Sequence, residues 1–176
     1  MTKQGIIKGL SEGRIIFAHY ILSLSYKEFT FSVPGKWTAG QQMDHIYRAT
    51  SFLPLAFRIP TLITGLMYGK ATRPSMEYDE LVQKYLSQLN KGGRATGLFI
   101  PGEIPYSERT MLADKLLNKV SSINNALDLL PERDLDRSLL PHPILGKITY
   151  REMLYFTIYH VNHHYALVKK YTAQIL

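Results

Sequence analysis

Apolar residues recur at three- and four-residue steps along most of the chain, the period of helices with one buried face. The first run spans about Gln4 to Phe29, with Ile6, Leu10, Phe17, Ile21 and Leu24 in phase. Val33-Pro34-Gly35-Lys36 then reads as a turn, and Thr38 as the N-cap of a second helix. That helix carries Ile46, Ala49, Leu53 and Ala56-Phe57 and is expected to stop before Pro60. Residues 60–76 resist a reading, because Gly65, Gly69 and Pro74 interrupt the apolar pattern. Tyr78 to Leu89 predicts a shorter helix ended by Gly92-Gly93. The stretch from Ala95 to Pro105, with Gly97, Pro101 and Gly102, predicts an ordered loop. Ser107 is the expected cap of a third long helix, with Leu112, Leu116, Val120, Ile123 and Leu127 in phase and Pro131 at its end. A second loop, with Pro141 and Pro143, leads to Thr149, which with Glu152 forms the Thr-x-x-Glu of a capping box opening the last helix.

No stretch alternates as a strand would, and no internal repeat is visible. The pattern predicts an all-α fold, a four-helix bundle with long cross-connections and one short extra helix, as a single domain over residues 1–176.

Composition narrows the chemistry. With 45% apolar and 20% charged residues in 176, the chain can bury one globular core. It has no cysteine, which excludes disulfides, thiolate zinc sites and cysteine nucleophiles. Any metal must be held by His, Asp, Glu or water. The formal charge of +7 is scattered rather than gathered into a basic run, so no nucleic-acid partner is expected. No window approaches the roughly eighteen apolar residues of a membrane span, and no signal-peptide pattern opens the chain. A cytoplasmic protein without a membrane span is the expectation.

Three of the six histidines fall in Tyr159-His160-Val161-Asn162-His163-His164-Tyr165. His160 and His164 are four apart and lie in one stripe with Met153, Phe156-Thr157, Leu167-Val168 and Tyr171. Imidazoles on an inward apolar face need partners for both ring nitrogens. A metal on one nitrogen and an acceptor on the other would supply them, as would hydroxyls and carbonyls in an ordinary core. Val161 stands where a His-Glu-x-x-His protease helix has its Glu, which disfavours that chemistry. A third ligand should come from a facing helix, and His45, beside the stripe of the second helix, is the candidate; its other reading is a helix-boundary histidine. His163 is rotated by about 100° from His164 and suits the rim, although His160 with His163 keeps an allowed three-residue spacing. His19 reads as a packed residue and His142, between two prolines, as one that fixes a loop. Asp44 is out of phase with His45. Glu103, Tyr106, Tyr159 and Asn162 read as structural, with the loop from Ala95 to Pro105 able to close over the end of the bundle.

Pro34-Gly35-Lys36-Trp37-Thr38 ahead of Asp44-His45-Ile46, the lead-in from His142-Pro143 through Thr149-Tyr150-Arg151-Glu152, and the run His160 to His164 occur in an order that resembles the DinB-like (YfiT-related) superfamily of metal-binding four-helix bundles. The resemblance covers the whole chain in architecture and three short segments in sequence. It implies a metal triad of His45, His160 and His164. Three protein ligands leave positions open on an ion, as in catalytic sites, where the ion acts as Lewis acid or activates water or a thiol. Family members with assigned activities include S-transferases that use bacillithiol or mycothiol, a mycothiol-dependent isomerase and metal-dependent hydrolases. The resemblance therefore implies a divalent ion, zinc or nickel, a small-molecule substrate and a low-molecular-weight thiol, in an S-transferase or hydrolase. The alternative is a non-catalytic bundle with a structural or vestigial site, serving as a binding module or homodimer through Ile15-Ile16 and Leu22.

Overall fold

A computed structural model describes residues 1–175, a mostly helical chain with one small hairpin. Helix α1 (Lys3–Ser23) is capped by Thr2, whose hydroxyl accepts from the Gly5 N–H. The run expected from Gln4 to Phe29 is two helices, because the chain turns extended at Leu24 and α2 (Tyr26–Thr30) opens on its own capping box, Ser25 with Glu28. Those two side chains take over hydrogen bonds that a continuous helix would have made with backbone.

Thr38 caps α3 (Ala39–Thr50), and Gln41 completes the box. Gly40, in its first turn, lets α2 come close: a Cβ there would stand 2.6 Å from the Phe29 ring. The helix does not reach Pro60. It stops at Thr50, and α4 (Leu53–Ala56) is a separate turn. Pro54 explains the break, since it has no N–H for the Thr50 carbonyl and its ring crowds that oxygen.

Helix α5 (Thr61–Tyr68) fills the stretch whose pattern was unreadable. It lies on the surface, with Leu62 and Leu66 71% and 82% exposed. Helix α6 (Tyr78–Asn90) forms as expected. The loop after it is ordered and contains a 3-10 turn, Gly97–Phe99. Ser107 does not cap the next helix but sits inside a second 3-10 turn, Tyr106–Glu108, from which α7 (Arg109–Asp128) continues.

After α8 (Asp134–Arg137) comes an antiparallel hairpin, β1 (Leu139–His142) with β2 (Gly146–Thr149), in the register Leu139↔Thr149 to His142↔Gly146. No strand was expected; four-residue strands, one of them containing Pro141, are too short to show alternation. His142 does fix this turn, its Nδ1 accepting from the N–H groups of Ile144 and Leu145 at 3.1 Å each. The Thr149–Glu152 box opens α9 (Tyr150–Thr172) with both halves formed. Glu152 also accepts from Arg73 and the Met76 N–H, tying the segment before α6 to the start of α9.

Helix α1 packs against α7 and α9, and α3 packs against the same two. The apolar core forms two clusters, one around Leu10, Ile123 and Met153, the other around Phe17, Met43 and Val161. Where α1 passes between them stands Arg14, fully buried, donating to the carbonyls of Leu10 and Thr157. Burial lowers its pKa to about 10. His19, expected in the packing, is exposed. Among the described residues no single helix is long and apolar enough to cross a membrane.

Candidate metal centre

His45 comes from the middle of α3, and His160 and His164 from consecutive turns of α9. All three are buried, 4–6% exposed, in the floor of a cavity of about 940 Å³. The Nε2 of His160 lies 3.1 Å from that of His45 and 3.0 Å from that of His164. Each residue offers a ring nitrogen within 4.8 Å of the others.

The outer nitrogens of two rings are held by the protein. The Nδ1–H of His45 donates to the Phe99 carbonyl at 2.7 Å, and that of His164 to Gln42 Oε1. A carbonyl oxygen only accepts, so these bonds fix the proton on Nδ1 and leave each Nε2 as an inward lone pair. Trp37 packs on His45 and lies parallel to His164, while Phe156 stacks on His160 at 4.6 Å. The rings are thus fixed in angle as well as in place.

Electrostatics favour the neutral form. Burial holds His160 and His164 well below the usual histidine range, and the neighbouring histidines push in the same direction. His45 is lowered by burial too, against smaller opposing effects of the Phe99 hydrogen bond and Asp44. One proton on His160 Nε2 can satisfy only one of its two neighbours. The lone pair of the other neighbour is left without a donor from these rings, an arrangement that a cation shared by all three resolves. The donor set fits a divalent ion.

The other expected residues fall outside this convergence. His163 lines the cavity, its ring nearly perpendicular to that of His164, and is not in the converging group. The His160–His163 pairing is therefore not the one gathered here. Asp44 faces away and pairs with Arg48. Tyr106 donates to the Leu24 carbonyl, and Glu103 and Asn162 are exposed. The loop after α6 does reach the site, through Ala95, Thr96 and Phe99.

Sequence reasoning missed Gln42, the Phe99 carbonyl and the aromatic wall of Trp37 and Tyr85. Gln42 was within reach, standing three residues before His45 on the same helix face. The Phe99 carbonyl carried no signal, because a backbone acceptor has no residue type.

These features define a class: a mostly helical protein in which histidines from two packed helices meet beneath an open cavity. The chain belongs to the DinB superfamily, whose family model matches residues 10–168. No curated protein matches it.

Proposed function

We propose that this protein is a divalent-metal-dependent enzyme that transfers a thiol to a small electrophile or hydrolyses a small molecule, with His45, His160 and His164 as metal ligands. The observation that carries the reading is the meeting of three neutral, oriented imidazoles at the base of a cavity large enough for a substrate. A structural zinc site would be closed by a fourth protein ligand; here the side facing the cavity is open. The ion, zinc or nickel, would supply Lewis acidity and favour the anionic form of a thiol or of water. The chain's own part is to hold the imidazoles through Phe99 and Gln42, and to exclude bulk water with Trp37 and Phe156. The thiol would be a low-molecular-weight one, since the protein has no cysteine of its own.

The same reading takes α1, α3, α7 and α9 as a four-helix bundle forming a single domain over residues 1–176, in a cytoplasmic protein. A homodimer through α1 is part of the proposal, supported by Ile15 and Ile16, 44% and 52% exposed; Leu22, expected to face outward with them, is instead half-buried against the core.

Metal analysis of untagged protein beside a His160→Ala variant tests the proposal. Wild type should retain a stoichiometric divalent ion and the variant should fall to background. Equal contents would sink the triad. Turnover of a thiol with an electrophile, lost in the variant, would then establish the enzyme.

A further inference from the structure

The cavity above the histidines, about 940 Å³, is far larger than an ion and water need and falls in the ~300–1,000 Å³ range of small-molecule sites. Trp37, Phe52, Tyr85, Leu89, Phe99 and Phe156 make its wall, surfaces suited to a flat apolar body.

Charge in the lining has one sign. No Asp or Glu contributes, whereas Lys36, in the turn before α3, and Arg94, just beyond α6, both do. Both are exposed while the histidines are buried, which puts the cations at the mouth. Neither forms an ion pair among the described residues. Arg94 Nη1 donates to the Gly93 carbonyl at 2.7 Å and the Leu89 carbonyl at 3.3 Å. Those bonds hold the guanidinium against the C-terminus of α6, whose carbonyls carry a partial negative charge but no full countercharge. A neutral histidine floor adds no negative charge, and an ion on it would add two positive ones.

We propose that this cavity binds an organic anion, a flat apolar molecule carrying a carboxylate or sulfonate group. The anionic group meets Lys36 and Arg94 at the mouth, and the apolar body lies along the aromatic wall. Its inner end points to His45, His160 and His164, so the orientation rests on the proposed metal centre; recognition of the charge does not.

Trp37 is the chain's only tryptophan and stands in the wall, which makes its emission the natural readout. The probes are 8-anilinonaphthalene-1-sulfonate and N-phenyl-1-naphthylamine, which share a ring system and differ in the sulfonate. Both are titrated into chelator-treated full-length protein, wild type and Lys36→Gln/Arg94→Gln, following Trp37 quenching. Wild type should bind the sulfonate at least about tenfold more tightly than the neutral probe, the worth of one charge-assisted contact. The double variant should lose that preference while keeping its affinity for the neutral probe. Equal affinities in wild type, a sulfonate preference that survives in the variant, or quenching by neither probe would each overturn the proposal. Because metal is removed throughout, a failed metal analysis leaves this result intact, and a failed titration leaves the triad intact.

Discussion

Acid should destabilise this protein in part through a residue outside the histidine centre. His142 is 9% exposed, with its ring edge-on to Phe156 at 4.3 Å between centroids. Its Nδ1 is used as acceptor for the Ile144 and Leu145 N–H groups. Protonation would set a third N–H against those two on a buried ring. Burial takes the pKa from 6.5 to about 4. Between those values the unfolded chain binds the proton and the folded one does not. The stability that the neutral ring contributes is therefore whole above about 6.5 and is lost as pH falls towards 4. At about 1.4 kcal/mol per unit, the ceiling is ~3 kcal/mol and the loss between pH 7 and pH 5 is ~2 kcal/mol. His142→Asn isolates the effect, because an asparagine oxygen accepts the same two N–H groups in an Asx turn and does not titrate. Urea unfolding of both proteins at pH 7, 6 and 5, with chelator present, reads the difference. The lost packing on Phe156 lowers the variant by a constant amount, and wild type should converge on it by ~2 kcal/mol at pH 5. Parallel pH dependences would refute the assignment.

Gln42→Ala removes the acceptor that orients His164, and metal affinity should fall about 10- to 100-fold with the fold intact; competition against a chelating indicator measures it, and an unchanged affinity would show that Gln42 plays no part. Gly40→Ala should lower the thermal midpoint, because the new methyl meets the buried Phe29 ring at 2.6 and 2.8 Å and the Ile104 Cβ at 3.0 Å. The expected cost is ~1–3 kcal/mol of overpacking, which outweighs the better helix propensity of alanine; a raised midpoint would mean that α2 moves aside freely.

The parts of the fold legible in the sequence are those where one face of a long helix is buried. The stripe of α7 read correctly from its period alone, its expected cap Ser107 lying in a 3-10 turn, whereas in α9 the stripe and the Thr149–Glu152 box reinforce each other. Failures came where local side-chain chemistry overrode the period. Ser25 and Glu28 cut one apolar run into α1 and α2, and Pro54 cut another into α3 and α4. The β hairpin had no period to show, being held by a histidine in its turn. At the site, the three histidines were legible as residue types at helical spacing, and the structure brings those three together. Their orienting partners divide by kind: Gln42 shares a face with His45 and was readable, whereas Phe99 acts through its backbone. Arg14 offered a signal of another sort, a cation in phase with Leu10, Phe17 and Ile21 on the buried stripe of α1.

The bond from His45 to the Phe99 carbonyl joins positions 54 residues apart, and it makes the loop after α6 a shareholder in whatever binds the histidines. Reciprocity then applies: a loop conformation that weakens the centre tenfold is itself disfavoured by about 1.4 kcal/mol once the ligand is in place. A Gly- and Pro-interrupted segment with few restraints of its own would be stapled by an event at its far side. Amide-exchange protection around Phe99 would thereby report, from the surface, on the occupancy of three rings buried beneath it.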